Sequence, residues 1–363
     1  MARSLHVLLV YVVTHLGLIF FMYPEDIIAS ADEGHWVPIL TGFAFHFAFL
    51  WIYMKGLSRA GGKDLTSLYL ELGKVAAALL LLPVFVYFLM VNIITIRSYS
   101  EIITIVFLSN TPLWAIMLLL FLIPAWMASL GIRTIFRATF LVAAVCLPLV
   151  LFIFVSSFQN VDWRYVYPLL DKHYTFWSRI SFYKSFFAYA GSFLFLGFVQ
   201  PYFSYRIRTV LWTAVGILPL FLFSVYVPLL TFGESTASTF FFPYVVTLDM
   251  IQINWLMFER ITVFFLMSLI IFVMLFVSLV LWQSSQIVGR FWPRAKTNWI
   301  IGGLFVVIFA GCLTVRSWNE VERLFIWNTW IRWYVLIVVP LTVYALGRRA
   351  ERDAGGDRYA AGR

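Results

Sequence analysis

The sequence offers few side chains that could do chemistry, and the most conspicuous are two histidines. His15 and His46 each lie inside a long apolar stretch. A titratable group inside an apolar layer is costly, so each is a candidate functional residue. A neutral histidine that hydrogen-bonds a neighbouring helix is the preferred interpretation. Because no cluster of further His, Asp or Glu residues lies close to either histidine, the pattern predicts no metal site.

Two charged pairs are the next candidates. Glu259 and Arg260 could form an intramembrane ion pair or gate, but a Glu at a helix N-terminus favours capping and orientation of that helix. Arg97 and Glu101 are four positions apart, which predicts a local ion pair. The sequence contains no nucleophile beside a base, no glycine-rich phosphate loop and no cofactor motif. We therefore expect neither an enzyme nor a bound cofactor.

The composition determines the class of protein. The chain has 363 residues, of which 63% are hydrophobic and 12% charged, whereas soluble domains average about 45–50% apolar and 25% charged residues. The apolar residues form long runs instead of short alternating segments, which predicts membrane-spanning helices and not strands. The net charge of +9 comes from short basic clusters between these runs, which fits a membrane and not nucleic acid. Cys146 and Cys312 lie inside apolar runs and are interpreted as packing residues.

The predicted fold is an all-α integral membrane protein with ten transmembrane helices, each with about 20 apolar residues. Residues 1–347 form a single permease domain, and residues 348–363 form a cytoplasmic tail that is expected to be disordered. The N-terminal run is interpreted as a retained first helix and not a signal peptide. The predicted spans are 7–29, 35–55, 74–97, 112–130, 134–157, 182–202, 209–230, 258–286, 298–315 and 330–347.

The orientation follows from the loops. Most of the 26 Lys and Arg residues fall on one side of the ten spans, which places both termini in the cytoplasm. The third span is predicted to end near Arg97 or to run on towards Leu108. Two outer segments, 158–181 and 231–257, are longer than a hairpin needs and mix aromatic with charged residues. The stretch Thr247–Leu256 is predicted to form a short interfacial helix.

The first and sixth spans contain matching positions at which the helix could break. The first has Thr14-His15-Leu16-Gly17 followed by Tyr23-Pro24, and the sixth has Tyr189-Ala190-Gly191-Ser192. Transporters with inverted repeats place their substrate at such breaks, where freed backbone groups bind polar parts of a small molecule. Glycine suits a break because it adopts positive φ. Close helix packing is the alternative role for these glycines.

Several short motifs, in order between the ten spans, carry a resemblance to a known family. They are Leu16-Gly17 to Tyr23-Pro24, Leu108-Ser109-Asn110-Thr111-Pro112-Leu113-Trp114, Gly131-Ile132-Arg133, Asp162 to Leu170, and Phe258-Glu259-Arg260-Ile261. In these motifs the chain resembles the spore germination permease family, the polytopic B subunit of nutrient germinant receptors. That family is in turn similar to amino acid/polyamine/organocation transporters. The resemblance covers nearly the whole chain.

The resemblance implies a five-plus-five inverted repeat in which helices 1 and 6 are broken and a central site lies between helices one, three, six and eight. Such a pocket would be small and mostly apolar, and would suit a neutral amino acid. Plain helix packing is the alternative role for its side chains. The implied ligand-binding residues are Gly17, Leu18, Tyr87, Val91, Tyr189, Gly191, Ser192, Met267 and Ser268.

The function implied by the resemblance is that of a germinant-binding subunit that triggers germination. It implies the receptor's A subunit and lipoprotein C subunit as partners, and the spore inner membrane as the location. One alternative is a secondary amino acid transporter that uses the same pocket. Another is a membrane anchor or ion channel subunit of the receptor complex.

Overall fold

The computed structural model describes residues 2–171, 174–251 and 261–360, and the regular secondary structure within these ranges is helical. The elements of its first half are α1 (Ala2–Ile19), α2 (Tyr23–Ile28), α3 (Trp36–Arg59), α4 (Leu65–Leu70), α5 (Lys74–Val106), α6 (Leu113–Ser129) and α7 (Ile132–Ser156). Those of its second half are α8 (Ile180–Ser185), α9 (Phe187–Ala190), α10 (Phe195–Val199), α11 (Ile207–Phe232), α12 (Glu234–Ala237), α13 (Pro243–Asp249), α14 (Ile261–Phe291), α15 (Thr297–Thr314), α16 (Trp318–Trp333) and α17 (Val339–Ala360).

Eight helical segments among the described residues are long and apolar enough to cross a membrane, which confirms an all-α integral membrane fold. Two further apolar helices, at Ser4–Ile19 and Leu113–Ser129, are shorter. The first of these is short because the predicted span 7–29 is interrupted after Ile19. The count of ten spans stays a prediction.

The segment that contains α8, α9 and α10 lies at the centre of the molecule. Within its apolar window, 94% of the residues are buried by the protein itself, against 22% for α15. The long helix α14 is the second interior element and packs against α1, α5, α6, α7 and α15. The interrupted segment therefore faces protein and not lipid, which is where irregular backbone is tolerated at membrane depth.

The last span begins earlier than the sequence predicts. Hydropathy places it at 330–347, whereas the helix runs from Trp318 through a π-helical segment, Tyr334–Val338, into α17. The π-helical segment lies just before Pro340, whose ring and missing N–H disturb the helical hydrogen bonds at the preceding turn. Hydropathy does not indicate the start of α16 because that turn carries Glu320, Glu322 and Arg323, of which Glu322 pairs with Lys184 of α8.

Three further predicted boundaries can be compared with the structure. The third span does not end at Arg97 but continues to Val106, in line with the longer of the two predicted extents. The predicted interfacial helix Thr247–Leu256 overlaps α13 at residues 247–249, and α13 begins at Pro243 because proline suits the first turn of a helix; residues 252–256 of the prediction lie outside the described residues. The tail predicted to be disordered is helical as far as Ala360. Residues 252–260, which include Glu259 and Arg260, lie outside the described residues.

Two glycines bring α3 and α17 into backbone contact. A Cβ atom on Gly56 would lie 2.6 Å from the backbone nitrogen of Tyr344, and a Cβ atom on Gly347 would clash with the Gly56 carbonyl oxygen. Small residues allow such close approach between membrane helices.

Candidate functional site

The first helix break lies at Phe20–Met22, between α1 and α2. Pro24 occupies the first turn of α2, where its missing N–H costs no hydrogen bond and its fixed φ starts a new helix. The predicted break at Gly17 is therefore wrong by three residues, because the proline and not the glycine determines where the helix stops. Gly17 lies inside α1, and its carbonyl oxygen accepts a hydrogen bond from the hydroxyl of Tyr99 on α5.

The second break lies at Gly191–Leu194, between α9 and α10, as the sequence predicts. Gly191 has a right-handed φ of −72°, so it does not use the positive φ that only glycine adopts easily. It is required for close packing instead. A Cβ atom at this position would lie 2.9 Å from Cζ of Phe276 on α14 and 3.4 Å from the hydroxyl of Tyr87 on α5.

The two breaks meet. The hydroxyl oxygen of Tyr23, the first residue of α2, lies 3.2 Å from the hydroxyl oxygen of Tyr189 in α9. The ring of Phe221 on α11 contacts both tyrosines, with centroid distances of 4.9 Å to Tyr23 and 4.4 Å to Tyr189. This hydroxyl pair and the shared ring of Phe221 bring the two interrupted helices into contact.

The two histidines adjoin this junction. The ring of His46 stacks on Tyr189 with a centroid distance of 4.9 Å, and its Nε2 lies 2.9 Å from the hydroxyl of Tyr11 on α1. This confirms the prediction that a histidine hydrogen-bonds a neighbouring helix. His15 instead bonds the carbonyl oxygen of Tyr11 within its own helix, at 2.7 Å. The two imidazoles lie 5.6 Å apart between centroids, a proximity that their sequence spacing did not predict.

The remaining predicted site residues divide into two groups. Leu18, Val91 and Ser192 are buried, and the hydroxyl of Ser192 donates to the carbonyl oxygen of Ala188 at 3.3 Å. Met267 is 48% exposed and therefore lies on the outer face of α14, away from the interrupted helices.

Ser268 is buried, and its hydroxyl donates to the carbonyl oxygen of Phe264 in its own helix at 2.9 Å. The residues of α14 that contact the two predicted glycines are Val273, 3.1 Å from a Cβ atom on Gly17, and Phe276. They lie about two turns further along the helix than Met267 and Ser268. Because α14 is apolar on nearly every face from Ile261 to Trp282, the sequence contains no signal that fixes this register.

An ionic network on the same side of the junction was also missed. Lys184 of α8 lies 3.1 Å from Asp26 of α2 and 2.7 Å from Glu322 of α16. Its side chain is buried to 10% exposure and that of Asp26 to 3%. Glu25 lies beside Asp26, and its Oε2 is buried without a hydrogen-bond partner among the described residues.

Arg332 extends this network along α16. Its guanidinium is fully buried, donates to Oδ1 of Asn328 at 2.7 Å and to the carbonyl oxygen of Lys184 at 2.6 Å, and lies over the rings of Phe187 and Phe325. The network joins α2, α8 and α16. Within the residues that the structure describes, no three His, Cys, Asp or Glu side chains form a metal-binding group.

Comparisons with known proteins place the chain among membrane permeases. A family model described as spore germination protein matches residues 3–320. Among solved structures, that of MhsT in complex with L-phenylalanine is similar, with a TM-score of 0.67 and 11% sequence identity over 97% of this chain and 99% of that chain. At this identity the likeness shows the fold. A search of curated proteins finds no match.

Proposed function

Because the chain belongs to the spore germination protein family, we propose that it is the permease-like, ligand-binding subunit of a germinant receptor. Its ligand is a small nutrient, a neutral amino acid. The observation that carries this proposal is the junction of the two helix breaks at Tyr23 and Tyr189. Family and fold are those of permeases and transporters, and not of enzymes.

Breaks in two helices leave backbone N–H and C=O groups outside the regular helical bonds, where they can bind the carboxylate and the ammonium of an amino acid. A neutral ligand is proposed because two buried charges close to the junction, Lys184 and Asp26, already pair with each other. The side chain of the ligand would contact the apolar and aromatic residues around the junction.

The proposed ligand-binding residues come from four elements. Gly17 and Leu18 lie on α1, Tyr87 and Val91 on α5, Tyr189, Gly191 and Ser192 on α9 and the break that follows it, and Ser268 on α14. The exposure of Met267 removes it from this set. Val273 and Phe276 take its place, since they contact the glycines directly.

Sensing requires that the ligand bind one conformation more tightly than another. A shift of the population from 1:99 to 99:1 needs about 5.5 kcal/mol of differential binding. The receptor's A subunit and lipoprotein C subunit would read the shift, in the spore inner membrane with both termini of this chain in the cytoplasm. The ten spans would form a five-plus-five inverted repeat that contains the site at its centre.

A second candidate function is secondary transport of the amino acid through the same site. The shared fold with MhsT over almost the full length of both chains favours it. Transport and sensing differ in the outcome of binding and not in the site. Accumulation of amino acid against a gradient by purified protein in liposomes would favour the transporter.

The test of the proposed site is ligand-induced stabilisation of the purified protein by a panel of neutral amino acids. A ligand at 100 times its dissociation constant should raise the free energy of unfolding by about 2.7 kcal/mol. Gly191→Leu should abolish the shift, because its side chain would occupy the space of Phe276. Gly216→Leu is the matched control, since no heavy atom lies within 4 Å of a Cβ atom there.

A shift with one amino acid that survives Gly216→Leu and is lost in Gly191→Leu would support binding at the junction. If no amino acid shifts the stability of folded wild-type protein, the sensor is a partner subunit and this chain is an anchor or ion channel. Intact germinant sensitivity in spores with Gly191→Leu at normal subunit levels would point to the same conclusion.

A further inference from the structure

A cleft of about 280 Å³ opens beside the first turns of α7, on a different part of the molecule from the helix breaks. This volume is close to the lower end of the range for small-ligand sites, about 300 Å³. The cleft lies between the start of α1, the start of α7 and the segment that follows α10. Its lining residues are His6, Arg133, Phe136, Arg137, Tyr202 and Phe203.

Two arginines give the cleft its charge. Arg133 and Arg137 are one turn apart on α7 and both are exposed. Within the part of the chain that the structure describes, neither guanidinium takes part in an ion pair. Arg133 lies in the first turn of a helix of 25 residues, whose dipole adds to the positive potential. The cleft therefore combines two unneutralised guanidinium groups within reach of one ligand.

The floor of the cleft is aromatic and rigid. The rings of Phe136 and Phe203 stack with a centroid distance of 4.2 Å and an interplanar angle of 12°. Phe136 is buried, so the stack anchors the segment after α10 against α7. Tyr202 adds a phenol beside this stack. The stack therefore forms an apolar wall of the cleft beside the two exposed arginines.

The position of the cleft along α7 indicates the depth at which it would lie in a membrane. One turn beyond Arg137, Leu141 is 66% exposed and points away from the protein. On α11, Arg208 is exposed and Trp212, one turn further, is exposed as well. Both helices thus change from arginine to large apolar residues over one turn. This is the pattern at the level of lipid headgroups, where tryptophan is also enriched.

We propose that this cleft binds a phosphate ester, with Arg133 and Arg137 as its two cationic ligands. Arginine binds phosphate oxygens through paired N–H donors, and two guanidinium groups one turn apart can share one phosphate. The same chemistry is presented by the headgroup of an anionic phospholipid and by a soluble phosphate ester. The cleft is separate from the junction of Tyr23 and Tyr189, and this proposal does not depend on the proposed function.

The experiment measures ligand-induced stabilisation of the full chain in neutral detergent. The probes are short-chain phosphatidylglycerol, short-chain phosphatidylcholine, glycerol 3-phosphate and inorganic phosphate. Wild type is compared with Arg133→Gln/Arg137→Gln and with Arg348→Gln/Arg349→Gln, a control that removes the same charge from two exposed arginines of α17. Arg133→Lys/Arg137→Lys keeps the charge but not the forked donors.

Phosphatidylglycerol should bind wild type and the α17 control alike, and the Gln pair in the cleft should raise its dissociation constant about thirtyfold. The Lys pair should give an intermediate value. Binding of glycerol 3-phosphate or phosphate with the same dependence on both arginines would identify a soluble ester as the source, and binding of the lipid alone would identify a headgroup. Equal binding of phosphatidylglycerol by wild type and the Gln pair, or an equal loss in the α17 control, would overturn the proposal.

Discussion

The ammonium nitrogen of Lys184 lies 3.1 Å from Oδ1 of Asp26 and 2.7 Å from Oε2 of Glu322. One lysine on α8 therefore holds both the short helix that follows the first break and the start of α16. Because α8 continues through α9 into the second break, this contact fixes the relative position of both interrupted helices.

Removal of that lysine is the first prediction. Lys184→Gln leaves the buried carboxylate of Asp26 without its cation, so we expect a loss of about 3 kcal/mol in the free energy of unfolding. Lys184→Gln combined with Asp26→Asn should cost less than the sum of the two single changes, because the buried charge is then removed with its partner. Thermal unfolding of the purified variants measures both effects.

The control for this prediction is Arg164→Gln. Arg164 pairs with Asp162 at 2.7 Å, but its side chain is almost fully exposed. Its loss should leave the unfolding temperature unchanged, since exposed ion pairs contribute little. If Lys184→Gln were as harmless as Arg164→Gln, the ionic network would not hold the helices together.

A second prediction concerns the contact between Gly191 and α14. Gly191→Ala places a methyl group 2.9 Å from Cζ of Phe276, so we expect a destabilisation of about 1–3 kcal/mol. Phe276→Leu in the same chain should recover part of the loss, because the smaller side chain makes room for the methyl group. Gly216→Ala, which meets no atom within 4 Å, should be neutral or slightly stabilising. An equal effect of both Ala variants would contradict the close contact.

The third prediction tests the junction of the breaks by a double-mutant cycle. Tyr23→Phe and Tyr189→Phe each remove one hydroxyl from the pair, and we expect a coupling energy of about 1 kcal/mol between them. Tyr183→Phe provides the comparison, because its hydroxyl donates to the carbonyl oxygen of Trp177 and not to the junction. Additive effects of Tyr23→Phe and Tyr189→Phe would mean that the hydroxyl pair does not link the two helices.

The fourth prediction is a pH dependence outside the spans. Partial burial, together with the charges of Asp32 and Glu33, raises the pKa of Glu234 to about 7, although Arg179 opposes the shift. The folded chain therefore favours the protonated carboxyl. Its contribution to stability is complete below the usual pKa of 4.5 and is lost as the pH rises through about 7.

Glu234→Gln removes this titration. The variant should match wild type near about pH 4 and be more stable near about pH 8, by less than about 1 kcal/mol because the group is partly exposed to solvent. Thermal unfolding at the two pH values measures the difference. Ser235→Ala, at the next exposed position of α12, should show no such trend. A difference that does not grow with pH would contradict the raised pKa.

The sequence predicts the fold class well because long apolar runs have few other structural solutions. It predicts the second break because Gly191 lies in the sixth span at a position that matches Gly17 in the first. It misplaces the first break, since the signal of Gly17 is indistinguishable from that of a packing glycine until its neighbour Val273 is known. Pro24 was the stronger local signal.

The ionic network was less predictable, because its members are far apart in the chain. Glu320, Glu322 and Arg323 lower the hydropathy of the first half of α16, so the sequence suggests a loop where the structure has a helix with one buried face. Lys184 provides the partner of Glu322 in that packing. The register of α14 was difficult to predict for the opposite reason: from Ile261 to Trp282 nearly every face of that helix is apolar, and periodicity carries no information about which face is inside.

The backbone contact between Gly56 and Gly347 has a mechanical consequence. With no side chain at either position, the two backbones lie in contact, and any residue larger than glycine would force α3 and α17 apart. The start of α16 is attached elsewhere, through Glu322 to Lys184 of α8. The π-helical segment Tyr334–Val338 lies in the chain between these two attachments.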